Sequence, residues 1–241
     1  MAAPTLLIGA SLDLASFAAY AFAGWLVART IRHDEAHARD GFALFWYGVA
    51  LVNLLQAILI LGALMGIASD AFAVAFWQTR IAIALASFAG LVYYLFYVWT
   101  GRRAWLAPTA LFYLVTFLLM MAWMAQSGMP VMSLDPWRVG LDYPGEGAGT
   151  RTLYRVVVLM FFLPPVFAAA AYALVLRHAT SARQRRRVLM VSASLGTYFI
   201  GLTIGYLETG FAHWGLVENV IGLAAAFIVS HALWSTREAV R

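Results

Sequence analysis

The residues best suited to chemistry are a few ionisable and amide side chains set into long apolar runs: Asp13, Gln78, Arg80, Arg155, Glu208, Glu218 and Asn219. Ionisable groups are costly to hold inside a bilayer, and they mark ligand paths, proton relays or ion pairs. All seven project to the outer half of the membrane on the topology derived below. Asp13, Glu208 and Glu218 are therefore expected to neutralise Arg80 and Arg155 in a polar network beneath an external loop. The functional reading is a ligand cavity open to the outside. The structural alternative is a set of interhelical ion pairs and end residues that reach for the surface. Asp13, Arg80 and Glu218 lie deepest, and one unpaired buried charge costs far more than a buried pair, so Arg80 should have an acidic partner. Asn53 and Gln56 form a second polar pair near mid-membrane, three residues apart on neighbouring faces of one helix.

Other chemistries find no constellation. His33 and His37, in His-Asp-Glu-Ala-His, have metal-ligand spacing if helical, but the glutamate is one position late for the zinc-protease pattern His-Glu-x-x-His, which leaves a solvated loop as the reading. His213 and His231 stand at opposite ends of one run, about 27 Å apart at 1.5 Å per residue, and cannot share a metal. His178 and His231 lie near the same surface, but paired histidines deep in facing helices are absent, so haem is not expected. No serine, histidine and acid combination occurs at recognisable spacing, and no glycine-rich phosphate loop follows a strand, so no residue is assigned a catalytic role. With no cysteine there is no disulfide, thiolate nucleophile or cysteine-ligated metal. A retinal Schiff base needs a lysine amine, and all sixteen basic residues are arginine. No metal and no cofactor are predicted.

The elements that would position these groups are membrane helices. The chain is 63% hydrophobic and only 11% charged, with a mean hydropathy of +0.81, whereas soluble domains carry roughly 25% charged residues. About 20 apolar residues cross a hydrocarbon core as helix, and seven stretches qualify: Leu6–Val27, Phe42–Leu64, Phe72–Trp99, Trp105–Met124, Leu153–Leu176, Val188–Tyr206 and Trp214–Trp234. The fold class is an all-α integral membrane protein, with residues 1–241 as one domain. Met1 to Thr5 holds no positive charge and the first run exceeds the usual signal-peptide length, so it is expected to remain as a helix.

Arginine in short loops is retained on the cytoplasmic side. Arg29, Arg32 and Arg39 lie between the first two runs, and Arg102 and Arg103 between the third and fourth. Arg177, Arg183, Arg185, Arg186 and Arg187 lie between the fifth and sixth, and Arg237 and Arg241 follow the seventh. Only Arg138 and Arg151 occupy the long loop on the other side. The N-terminus is thus expected outside and the C-terminus in the cytoplasm of a bacterial cell, with the chain multi-pass in its cytoplasmic membrane. The pI near 9.7 is explained by this topology, and nucleic acid is not an expected partner.

The loop 125–152 is punctuated by Gly128, Pro130, Pro136, Gly140, Pro144, Gly145, Gly147 and Gly149, with Trp137 and Tyr143 as packing material for an ordered external lid. Pro164–Pro165 should kink the fifth helix. Ser192, Gly196, Gly201 and Gly205 allow close approach of the sixth. No internal repeat of the kind that marks inverted-repeat transporters is evident.

The segment Phe76-Trp77-Gln78-Thr79-Arg80, continued to Tyr97-Val98-Trp99-Thr100-Gly101-Arg102-Arg103, resembles the seven-helix N-terminal sensory region of bacterial histidine kinases and related signalling proteins. The turn Arg183-Gln184-Arg185-Arg186-Arg187 leading into Val188-Leu189-Met190 is a second point of similarity. The resemblance implies an extracytoplasmic or intramembrane input, with the seventh helix passing the signal to an output domain. The chain ends seven residues after Trp234 without one: either output runs through a separate cytoplasmic or membrane protein, the sequence is a piece of a longer one, or the scaffold serves as a structural subunit. Arg183, Arg185, Arg186 and Arg187 would meet that partner or anionic lipid, at about 1 kcal/mol per basic residue. The expected function is a receptor-like signal-input module. The alternative is a non-catalytic accessory subunit of a larger membrane complex, and a small-molecule transporter is third.

Overall fold

A computed structural model describes residues 2–30, 36–145, 147–175, 181–207 and 214–237. It contains seven helices long and apolar enough to cross a membrane, as expected of a multi-pass membrane protein. They are α1 (Ala2–Thr30), α2 (Ala36–Leu64), α3 (Asp70–Thr100), α4 (Leu106–Gln126), α5 (Ala148–Ala173), α6 (Ala182–Leu207) and α7 (Trp214–Arg237). Several begin well before their apolar runs. α6 starts six residues ahead of Val188, because arginine and glutamine are good helix formers and carry the helix through Arg183–Arg187. Gly101 ends α3 in the left-handed conformation at φ 69°, its N–H donating to the Tyr97 carbonyl at 2.7 Å.

One departure from an all-helical chain lies between α4 and α5. Val131–Leu134 (β1) and Val139–Asp142 (β2) pair antiparallel, with Leu134 opposite Val139 and Val131 opposite Asp142. Asp135 and Pro136 supply the turn chemistry. The Asp135 N–H donates to the Arg138 carbonyl at 3.0 Å, and the Gly145 N–H donates to the Ser127 carbonyl at 3.0 Å where the loop rejoins α4. Within the segment 125–152, expected as an external lid, residues 131–142 form this hairpin.

Around the bundle, α1 packs on α2, α2 on α3, α3 on α5, α5 on α6, α6 on α7 and α7 on α1. These six close a ring, and α4 lies outside it against both α3 and α5. The interior at mid-height is filled by phenylalanines: Phe88 meets Phe161 at 4.9 Å and Phe199 at 5.0 Å between ring centroids, and Phe45 meets Phe199 at 5.8 Å. Such edge and tilted contacts are favoured by the aromatic quadrupole. Where α2 crosses α3 there is no room for side chains, since a Cβ on Gly90 would lie 2.6 Å from the Gly41 carbonyl oxygen, and one on Gly41 would lie 2.8 Å from that of Gly90.

α5 runs through Pro164–Pro165, which cannot donate to the carbonyls one turn back. One freed carbonyl, that of Phe161, accepts from the Tyr113 hydroxyl of α4 at 3.5 Å. A neighbouring helix thus satisfies backbone freed by proline, the usual solution inside a bilayer. Beside this contact Phe112, Leu159, Met160, Leu163, Pro164 and Phe167 line an open apolar groove of about 290 Å³ between α4 and α5.

Candidate functional site

The hairpin is fastened over one end of the bundle. Val139 is 1% exposed and sits among Leu6 and Ala10 of α1, Leu59 and Ile60 of α2, and Ala73 of α3. Three polar contacts surround this apolar plug. Gln56 Nε2 of α2 donates to the Val139 carbonyl at 3.1 Å, and the Met132 N–H donates to Asp70 Oδ1 of α3 at 2.8 Å. Arg138 Nη1 lies 3.7 Å from Glu218 Oε2 of α7, while its Nε donates to Asp135 Oδ2 at 3.3 Å. Burial opposes the Arg138 charge, but Tyr206, Glu218 and Asp135 outweigh it and raise the guanidinium pKa.

Beneath the hairpin lies a polar network in two parts. In the first, Asp13 of α1 is 4% exposed, and its Oδ1 accepts from Asn219 Nδ2 of α7 at 3.1 Å. Asn219 Oδ1 in turn accepts from Ser16 Oγ at 3.2 Å. One turn of α1 and one amide of α7 therefore share a chain of hydrogen bonds. Glu218 also accepts from the Tyr206 hydroxyl of α6, at 3.4 Å to Oε1 and 3.5 Å to Oε2.

The second part joins α3 to α2. Arg80 is half-buried, and its Nη1 donates to Gln56 Oε1. The guanidinium lies 5.7 Å from the Trp77 ring centroid, within cation–π range. Contrary to expectation, Arg80 has no carboxylate at ion-pair distance among the described residues. Both nearby acids are engaged elsewhere, Asp13 with an amide and Glu218 with Arg138. Arg80 Nε and Trp77 Nε1 are each buried without a hydrogen-bond partner.

Of the residues singled out from sequence, Asp13, Arg80, Glu218, Asn219 and Gln56 come together at the hairpin end. Gln78 does not, because two residues of helix turn it about 200° from Arg80 and it is exposed. Arg155 is exposed on α5 and does not join the network. Asn53 Nδ2 bonds within its own helix, to the Val49 carbonyl at 2.8 Å. Glu208 lies outside the described residues. At the opposite end, Arg185 and Arg186 are exposed on the first turns of α6, which also carry Arg183 and Arg187. His33, His178 and His213 lie outside the described residues and His231 is exposed. Among the described residues no group of three or more metal-ligating side chains converges.

Sequence reasoning missed Arg138, Ser16 and Tyr206 as members of the network. In the sequence Arg138 stands only as one of two arginines of the long external loop, although Asp135-Pro136 between two short apolar stretches is a turn signature that places it in a hairpin. Beside the network, Trp123 makes tilted ring contacts with Tyr143 at 4.7 Å and Tyr154 at 4.9 Å between centroids. Burial pushes the Tyr143 phenol up to about 12. Comparison with models of known protein families, and with curated proteins, finds no match to this chain.

Proposed function

We propose that the chain is a receptor-like signal-input module of a bacterial cytoplasmic membrane, with the hairpin outside and the arginine-rich end in the cytoplasm. The observation that carries this reading is the way the hairpin is attached. Adjacent residues fasten it to different sides of the bundle: the Val139 carbonyl to Gln56, which also holds Arg80, and the Arg138 side chain to Glu218. Anything that rearranges the polar network therefore acts on an external element and on α2, α3 and α7 together. The change would reach Arg183, Arg185, Arg186 and Arg187 at the far end, where a separate cytoplasmic or membrane protein would read it. The arginine distribution supports the orientation.

The competing reading, an accessory subunit of a membrane complex, is favoured by the position of α4 outside the ring and by the apolar groove it forms with α5. Two experiments decide. A cysteine introduced at exposed Met129 should react with an impermeant maleimide in intact cells, and one at Arg186 should not; the chain has no native cysteine to interfere. The gently purified wild type should then be melted against a small-molecule library, since a ligand of the folded state raises its melting temperature by mass action. A ligand whose effect is lost in Arg138→Ala supports the input module. Isolation only as a stoichiometric complex, with no such ligand, supports the subunit.

A further inference from the structure

On the reading that the hairpin end is the input site, we propose that Arg80 is the recognition group for a small oxyanion, a monocarboxylate in particular, and that binding releases Gln56 from Arg80. Arg80 lies about 15 Å along α3 from Asp70, at 1.5 Å per residue, within a segment apolar enough to cross the bilayer. An arginine at that depth is retained only with a strong partner or a function. Here it donates to a neutral amide, although Asp13 and Glu218 stand in the same network. Among the described residues Arg80 Nε is a buried donor with no acceptor, and Trp77 Nε1, one turn away on the same face, is another. The guanidinium Nε and, beside it, the Trp77 indole N–H can both donate to a carboxylate, which arginine grips through two parallel N–H bonds.

The charges select among oxyanions. Asp13, Glu218 and Asp135 already stand near Arg80 and Arg138, so a single added negative charge meets less repulsion than a phosphate dianion. Val139 of the hairpin plugs this end of the bundle among Leu6, Leu59 and Ile60, so the acids to test are small ones. The consequence for the hairpin lies in Gln56, whose Oε1 accepts from Arg80 while its Nε2 donates to the Val139 carbonyl. A carboxylate competes for the first bond and so frees the side chain that makes the second.

The test uses the full chain in nanodiscs and intrinsic tryptophan fluorescence, with Trp77 as reporter and Trp77→Phe to assign the signal. Acetate and benzoate are titrated against their uncharged amides, acetamide and benzamide, and against inorganic phosphate. The proposal expects saturable binding of at least one carboxylate, at least tenfold weaker binding of its amide and of phosphate, and at least tenfold weakening in Arg80→Lys. Gln56→Glu, which supplies Arg80 with an internal carboxylate and so does not depend on tolerance of an altered Arg80, should abolish the response. Absence of carboxylate binding, equal binding of the amide, or full binding by Gln56→Glu overturns the proposal. A neutral ligand that depends on Arg138 would sink the anion site and leave the input module standing. Carboxylate binding that leaves hairpin hydrogen exchange unchanged would do the reverse.

Discussion

Replacing Gln56 with glutamate separates its two roles, because the change keeps the shape of the side chain and one of its oxygens. In the wild type Nε2 donates to the Val139 carbonyl at 3.1 Å and Oε1 accepts from Arg80. In Gln56→Glu the donor to Val139 becomes a second acceptor, and a buried carbonyl left unsatisfied costs about 1–3 kcal/mol. If that cost falls on the hairpin seat alone, local opening becomes about 5- to 150-fold more frequent, at tenfold per 1.4 kcal/mol. Arg80 meanwhile exchanges a neutral amide acceptor for a carboxylate, which turns a charge-assisted bond into an ion pair. The bundle should therefore hold or gain melting temperature while its hairpin loosens. Amide hydrogen exchange in nanodiscs measures both effects, residues 131–142 against the interior of α3. Unchanged hairpin protection in a folded variant would refute the coupling. Equal loss across hairpin and α3 would show that Gln56 is a general prop rather than a link.

Three further outcomes follow from the packing. Val139→Ala removes two methyl groups from a site that is 1% exposed and should lower stability by about 2 kcal/mol, read as a lower melting temperature with faster hairpin exchange. Gly90→Ala forces a Cβ to within 2.6 Å of the Gly41 carbonyl oxygen and should cost about 1–3 kcal/mol or separate α2 from α3, whereas Gly196→Ala, with nothing near the new methyl, should be neutral or stabilise by up to about 1 kcal/mol; paired thermal melts compare them. Asn219→Leu strips Asp13 and Ser16 of their shared amide and should destabilise by about 3 kcal/mol, an effect that a second change, Asp13→Leu, should largely relieve in a double-mutant cycle.

The seven helices were legible because a bilayer demands about 20 apolar residues per crossing, a length signal that survives without any alignment. Asp13, Glu218 and Asn219 were legible for the same reason in reverse, as polar groups where hydrocarbon makes them expensive. Partners within the network were not legible. Arg80 was expected to meet an acid and meets Gln56 instead, because depth along a helix does not give its rotation against a neighbour. Arg155 lies seven residues before Phe162 and so on nearly the same face of α5; Phe162 is buried and Arg155 exposed, since periodicity does not say how far the neighbours extend. The place of α4 outside the ring is likewise invisible to hydropathy, which treats all seven runs alike.

The hairpin register carries a consequence for how the end of the bundle can change. Successive residues of extended chain point to opposite faces, and here the last turn residue and the first of β2 have incompatible destinations, Arg138 at a carboxylate and Val139 in an apolar seat. Sliding the strand by one position would drive a guanidinium in among Leu6, Leu59 and Ile60 and present a valine to Glu218. No intermediate placement satisfies either residue. A perturbation strong enough to unseat Arg138 or Val139 is therefore expected to lift the hairpin as a unit rather than slide it along its seat.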